Sequence, residues 1–177
     1  MSARNGFALQ AAASSSITHG RSLLPLIEGT ASSVREVALF GYWGRHVGVT
    51  DGRHRYLRGC GEENFPLSVW SNRWSTMPIP PFPQIRLPRP DGRATLDRMP
   101  GTDVPVIRQP FEPGDQLPFW AGHIPPSQSY LFDTDADPFE AENQVGTRAE
   151  SALRDAVATE LRHIGAPDDV LERIGVA

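Results

Sequence analysis

The feature that most constrains the fold is a dense series of prolines between residues 60 and 128. Fourteen of the 17 prolines in the 177-residue chain lie in this stretch. Proline lacks a backbone N–H and fixes φ, so this density excludes long helices and central β-strands. The stretch also holds more large aromatic residues than a disordered linker usually has: Phe65, Trp70, Trp74, Phe82, Phe111, Phe119 and Trp120. We therefore predict a long extended excursion that aromatic side chains pin across the surface of a neighbouring domain.

Regular structure is predicted on both sides of the excursion. Residues 34–56 are apolar and aromatic and then alternate with period two, which indicates two or three antiparallel strands. Asp51-Gly52 is typical of a tight hairpin turn. Residues 129–133 (SYLFD) predict a further short strand. A main helix is expected over residues 147–164, and a shorter one near 168–174.

The main helix has its own start and stop signals. Thr147 and Glu150 have the spacing of a capping box, in which two side chains bind free backbone N–H groups of the first turn. Gly165 follows the last periodic residue and ends the helix. One face of the helix carries the apolar residues: Leu153, Val157, Leu161 and Ile164.

These elements together predict an α+β protein. Its small antiparallel sheet of three to four strands is flanked by a C-terminal helix, and its middle segment is long, proline-rich and irregular. Residues 1–16 are small and carry no sustained pattern, so they are expected to form a flexible N-terminal arm. Residues 17–177 are expected to form one folded unit.

Composition and charge exclude several classes of function. The net charge is −4, so there is no electrostatic footprint for nucleic acid. All 17 basic residues are arginine, and without lysine no Schiff base or P-loop lysine can form. No apolar run is long enough for a transmembrane helix, and the N-terminus lacks the order of a secretory signal. We therefore expect a cytoplasmic chain with neither membrane nor nucleic-acid partners.

Three acidic residues, Asp133, Asp135 and Asp137, resemble the opening of a calcium-binding EF-hand loop. Such a loop needs glycine at its sixth position and a bidentate acid at its twelfth. The chain has Pro138 and Gln144 there, and no helix is indicated before Asp133. The favoured explanation is local, because short acidic side chains cap the N–H groups of turns.

Neither the histidines nor the cysteine point to a catalytic or metal site. The five histidines (19, 46, 54, 123 and 163) lack the spacing of a helical metal site. Cys60 is the only cysteine, which excludes internal disulfides and cysteine-based zinc clusters. Two glutamates follow it closely and oppose thiolate formation, so Cys60 is expected to be an unreactive surface residue.

Two blocks of the sequence carry a family resemblance. They are His19–Arg58 (HGRSLLPLIEGTASSVREVALFGYWGRHVGVTDGRHRYLR) and Tyr130–Asn143 (YLFDTDADPFEAEN). In this order and spacing they resemble the C-terminal region of a sulfatase, in the alkaline-phosphatase-like superfamily. The second block is similar to the sulfatase segment L-[FY]-D-L-x-x-D-P through Leu131, Phe132, Asp133, Asp137 and Pro138. The likeness covers roughly residues 17–59 and 126–177, so residues 17–177 are interpreted as a sulfatase-like C-terminal subdomain.

The resemblance implies sulfate ester hydrolysis carried out by a catalytic domain N-terminal to this region. In the family that domain supplies a divalent metal such as calcium, active-site lysine and histidine, and a formylglycine nucleophile made from C/S-x-P-x-R. This chain has no lysine and no such motif, and Cys60 does not match it. No catalytic residue, metal ligand or cofactor is therefore expected in this chain, which is predicted to be inactive alone.

Arg45 and His46 are the candidates for contact with a substrate. They lie between two predicted strands, where a positively charged pair could face an anionic sulfate or sugar on the partner domain. The alternative is a solvated strand end without a ligand. The expected partner is a sulfatase catalytic domain or chain.

Two other functions remain open at this point. One is a non-catalytic binding subunit that docks on a separately encoded catalytic chain through the aromatic excursion between Phe65 and Trp120. The other is a stand-alone binding module unrelated to sulfatases.

Overall fold

The computed structural model describes residues 19–72, 90–99, 102–117, 121 and 126–177. The predicted N-terminal arm lies outside these ranges, as do four of the aromatic residues of the excursion: Trp74, Phe82, Phe119 and Trp120. The chain divides into two compact units, Met1–Arg35 and Glu36–Ala177. The described part of the first unit contains α1 (Leu24–Ile27), a single turn with Pro25 at its second position.

The second unit contains the predicted antiparallel sheet. It has four strands in the order β1-β2-β3-β7: β1 (Ala38–Gly41), β2 (Val47–Thr50), β3 (His54–Arg58) and β7 (Tyr130–Asp133). The β2–β3 hairpin turns where Asp51-Gly52 predicted it. Asp51 Oδ1 accepts the backbone N–H groups of Arg53 and His54, and Gly52 takes a φ of 97°. Both sequence blocks of the resemblance thus contribute strands to one sheet.

Helix α2 (Arg148–His163) packs on this sheet, where it contacts β2 and β3. A second helix, α3 (Asp168–Arg173), adds Leu171 to the same core. The predicted apolar face of α2 is confirmed, because Leu153, Val157 and Leu161 are buried. They share one core with residues from the sheet and the C-terminus: Val49, Tyr56, Leu131, Leu171, Ile174 and Val176.

Each of these helices ends in the same backbone motif. After α2, Gly165 has a φ of 66° and Ala166 N–H donates to Leu161 C=O at 2.9 Å. After α3, Gly175 has a φ of 64° and the next N–H donates back to Leu171 C=O at 3.0 Å. These are Schellman motifs, which need a residue in the left-handed region and therefore favour glycine.

The predicted capping box forms only in part. Thr147 makes no side-chain capping hydrogen bond. Glu150 does reach back, but to Gly146, whose N–H donates to Glu150 Oε2 at 2.7 Å. The other carboxylate oxygen accepts the Tyr56 hydroxyl at 3.0 Å. Glu150 therefore connects the helix start to the core tyrosine of the sheet as well as to the preceding turn.

A second sheet lies within the proline-rich stretch, and there the prediction that central strands are excluded is wrong. Its order is β4-β6-β5: β4 (Leu67–Ser71), β6 (Pro105–Phe111) and β5 (Thr95–Arg98). Among the described residues, Pro105 of the central strand pairs only with Arg98 of β5, and Pro110 only with Ser68 of β4. At each proline, β6 has a paired neighbour strand on one side only. The absence of a backbone N–H at that position therefore costs little hydrogen bonding. The α+β class holds, with two small antiparallel sheets.

Candidate functional site

The candidate residues Arg45 and His46 lie in the turn between β1 and β2. Arg45 N–H donates to Tyr42 C=O at 3.0 Å and closes the turn. Gly44 has a φ of 72°, and a Cβ there would lie 2.7 Å from the Cβ of Ala121. The buried Asn64 donates from Nδ2 to Gly44 C=O at 2.9 Å. The turn is therefore fixed in place, and position 44 needs glycine for both conformation and space.

Trp43 attaches this turn to the second sheet. Its Nε1 donates to Ser68 C=O at 2.8 Å, and its ring meets Phe111 edge-on at a centroid distance of 5.6 Å. Phe111 is one of the aromatic residues predicted to pin the excursion to a neighbouring domain. In the described part of the chain, Phe111 instead packs within the same unit. The aromatic contact thus joins the two sheets beside the candidate residues.

His46 is half-buried and neutral. Its Nε2 lies 2.8 Å from Gln128 C=O, which can only accept, so Nε2 carries the proton. Burial lowers the pKa of His46 below its ordinary value of 6.5; the Gln128 hydrogen bond opposes this, while Arg45 and Arg173 reinforce it. The expected pair of positive charges is therefore not present near pH 7, where only Arg45 of the two is charged.

A cavity of about 260 Å³ opens beside this turn. It lies where the first sheet meets β4 and the ends of α2 and α3, and His46 contributes to its wall. Most of the wall is apolar and aromatic: Phe40, Tyr42, Trp43, Trp70, Ile164 and Val170. Gly48, which pairs with Phe40 across β1 and β2, leaves room for that ring, because a Cβ at Gly48 would lie 2.4 Å from Phe40 Cε2.

One polar pair in the cavity wall consists of Ser68 and Asp169. Ser68 Oγ donates to Asp169 Oδ2 at 2.6 Å, and an Arg108 nitrogen donates to the same oxygen at 2.7 Å. Burial alone would raise the pKa of Asp169, but the hydrogen bonds from Ser68 and Arg108 outweigh it and lower the pKa. A carboxylate held in this way is a weak base, so the pair does not activate the Ser68 hydroxyl as a nucleophile.

Arg173 is the second polar group in the wall and is 5% exposed. One terminal nitrogen donates to Asn64 Oδ1 at 2.9 Å and the other to Arg45 C=O at 3.0 Å. Both acceptors are neutral, and burial lowers the pKa of Arg173. Arg173 therefore fastens α3 to the turn that carries the candidate residues.

Cys60 lies beside Arg173, and the expectation of a surface cysteine is wrong. The residue is 8% exposed, and its thiol donates to Gly61 C=O at 3.1 Å. Burial raises the pKa of the Cys60 thiol, with Arg173 acting in the opposite direction. A thiol whose pKa is raised is a poor nucleophile near pH 7, so the structure supports no catalytic role for it.

The acidic segment after β7 serves the fold. Asp133 accepts the N–H groups of Asp135 and Ala136 at 3.2 Å each, and Arg53 Nε donates to it at 3.1 Å. Asp137 Oδ2 accepts the Glu142 N–H at 2.8 Å. These contacts agree with the prediction that the acidic residues cap the turn.

The residues present do not fit the sulfatase metal and nucleophile. The sequence has neither lysine nor C/S-x-P-x-R. In the ranges that the structure describes, no group of three or more His, Cys, Asp or Glu side chains could hold a metal ion. None of the helices in those ranges is long and apolar enough to cross a membrane. Comparison with protein-family models and with curated proteins finds no match to the chain.

Sequence reasoning located the turn but missed the polar groups around the cavity. Asn64 and Arg173 are 109 residues apart, and no local pattern marks either as a partner of the other. Ser68 and Asp169 are 101 residues apart. The only signal of the cavity in the sequence was the cluster of aromatic residues around Trp43. Such a cluster is equally typical of an ordinary buried strand.

Proposed function

We propose that the chain is the C-terminal unit of a sulfatase-like hydrolase and walls the substrate cleft of a catalytic domain. The reaction of the family is sulfate ester hydrolysis. The metal and the nucleophile belong to the catalytic domain, so residues 17–177 contribute no step of bond cleavage. Their contribution is to shape the cleft and to place Arg45 beside the substrate.

The observation that carries this proposal is the way the two resembling blocks combine. Strands β1 to β3 come from the first block and β7 from the second, and β3 pairs with β7 from His54 opposite Asp133 to Leu57 opposite Tyr130. Side-chain contacts between Arg53 and Asp133 and between Arg55 and Glu140 reinforce the junction. A helix then covers the sheet, as the resemblance implies for this subdomain.

The charge at the turn also supports a role beside an anionic substrate. The guanidinium group of Arg45 has planar donors that suit the oxygens of a sulfate or a sugar acid. Neutral His46 adds a hydrogen-bonding ring without a second charge.

The test combines the full chain with a sulfatase catalytic domain that lacks its own C-terminal unit. We expect the chain alone, with calcium added, to leave 4-nitrophenyl sulfate intact. We expect the mixture to co-elute on size exclusion and to hydrolyse the ester faster than the catalytic domain does alone. Arg45→Gln should raise KM, whereas the matched control Arg148→Gln on the exposed start of α2 should not.

Two results would count against the proposal. Turnover by the purified chain alone would show that it has catalytic groups of its own. Co-elution without any gain in activity would instead favour a non-catalytic binding subunit on a separately encoded chain.

A further inference from the structure

Arg173 is a buried cation without a carboxylate partner. All 21 aspartate and glutamate residues of the chain lie in the ranges that the structure describes. The ion pairs among the described residues involve Arg53, His54, Arg55, Arg93, Arg98 and Arg108, and none involves Arg173. Asp169 lies in the same cavity wall, but its charge is paired with Arg108.

A charge in this position is costly unless an anion compensates it. Buried charges in proteins are usually paired, because transfer of an ion out of water without a partner is strongly unfavourable. The two acceptors bound by Arg173, Asn64 Oδ1 and Arg45 C=O, are neutral. A guanidinium group has five N–H donors, and these two hydrogen bonds use one N–H from each terminal nitrogen. The Cys60 side chain also hydrogen-bonds to the group, so at most two donors remain for an anionic ligand.

The cavity beside Arg173 limits the size and shape of that ligand. Its volume of about 260 Å³ lies just below the roughly 300–1,000 Å³ of sites for drug-sized molecules. Phe40, Tyr42, Trp43 and Trp70 provide an aromatic wall, which favours a flat ring over a polar sugar or an inorganic ion. The combination suits a molecule of one or two aromatic rings that carries one acidic group.

We propose that this cavity binds a small aromatic carboxylic acid, with the ring against the aromatic wall and the carboxylate on Arg173. The site would give the chain a ligand of its own. This inference does not rest on the proposed function, because every residue in it belongs to this chain and no catalytic domain is needed.

The probe is 2-naphthoate, and its matched neutral control is 2-naphthalenemethanol. Isothermal titration calorimetry on the full chain should show saturable binding of the acid and at least about 10-fold weaker binding of the alcohol, since a charge-assisted hydrogen bond contributes a factor of this order. Sodium acetate should not compete at the same concentration, because it lacks the ring. Equal affinity for the acid and the alcohol would overturn the role of Arg173.

Three variants separate the site from general effects on folding. Arg173→Gln keeps a donor for Asn64 but removes the charge, and should weaken naphthoate binding about 10- to 100-fold. Val170→Phe places a larger side chain in the cavity wall. It should abolish binding of both 2-naphthoate and 2-naphthalenemethanol. Arg154→Gln is the matched control, because Arg154 also donates to a backbone C=O, that of Gly175, from an exposed position.

Every outcome then bears on the proposal. Binding that is lost in Arg173→Gln and Val170→Phe but kept in Arg154→Gln supports it. If Arg173→Gln does not fold, two other measurements decide whether the cavity binds the acid. These are the comparison of acid with alcohol on the wild-type chain and the binding measured with Val170→Phe. Absence of naphthoate binding to the folded wild-type chain would overturn the inference, and so would unchanged binding in a folded Val170→Phe chain.

Discussion

Gly44 shows how one residue fixes the turn that carries Arg45 and His46. Its φ of 72° is unfavourable for any residue with a side chain, and Ala121 occupies the space that a Cβ would need. We expect Gly44→Ala to lower the free energy of unfolding by about 2–4 kcal/mol, from about 1–2 kcal/mol of backbone strain plus overlap with Ala121. Urea denaturation followed by tryptophan fluorescence measures the loss.

The matched control for this substitution is Gly52→Ala in the β2–β3 hairpin. Gly52 also has a positive φ, of 97°, but a Cβ there would meet nothing within 4 Å. We expect a cost of about 1 kcal/mol, from strain alone. Equal losses for the two variants would show that contact with Ala121 does not constrain the turn.

For single residues, the sequence predicted where a residue lies in the fold better than whether its side chain is charged or buried. Arg45 and His46 lie in a turn between two strands, as their spacing indicated. The sequence could not show that His46 is neutral, because its pKa depends on burial and on Gln128, 82 residues away. Arg173 escaped notice for a similar reason, since its burial beside Asn64 depends on how distant segments pack.

At the scale of elements, the start of α2 gives a direct test of the capping box. Glu150 binds Gly146 N–H and the Tyr56 hydroxyl, whereas Thr147 makes no side-chain capping hydrogen bond. We therefore expect Glu150→Ala to lower the free energy of unfolding by about 1–3 kcal/mol, because a buried tyrosine hydroxyl loses its acceptor. Thr147→Ala should cost less than about 0.5 kcal/mol.

Chemical denaturation of both variants measures the difference. Tyr56→Phe should recover part of the loss in the Glu150→Ala background, because the hydroxyl that has lost its acceptor is then absent. A larger loss for Thr147→Ala than for Glu150→Ala would restore the capping box as the sequence predicted it.

Elements with strong local signals were predictable, and those that depend on pairing were not. The hairpin at Asp51, the apolar face of α2 and its glycine stop all follow from short-range patterns. Strand β6 did not, because the effect of Pro105 and Pro110 depends on which side of the strand has a neighbour. Such information comes from tertiary structure, which composition alone does not encode.

For the molecule as a whole, the decisive contacts join segments far apart in sequence. β3 and β7 bring the two sequence blocks into one sheet, and Trp43 connects that sheet to the second one through Ser68 and Phe111. The proline-rich stretch therefore completes the unit in its described part, where it forms one side of the cavity. The aromatic residues that predicted an interface with another domain serve in part as internal contacts.

The junction of the two blocks also predicts how stability depends on pH. The Arg53 guanidinium lowers the pKa of Asp133 to about 2, and the N–H groups of the following turn act in the same direction against the effect of burial. In the unfolded chain an aspartate titrates near about 3.9. Between these values the unfolded state binds more protons, so stability rises with pH. The contribution of Asp133 is complete above about pH 4 and is lost as the pH falls through about 2.

Urea denaturation between pH 6 and pH 2 tests this dependence. Asp133→Asn and Arg53→Gln each remove one partner of the Arg53–Asp133 ion pair. Both should lower the urea midpoint at pH 6, and in both the midpoint should fall less steeply below pH 4. A residual fall should remain in both variants, because Arg93 lowers the pKa of Asp91, which precedes β5, and of Asp115, which follows β6. If both variants kept the wild-type dependence on pH, the junction between β3 and β7 would be held by its backbone pairing alone.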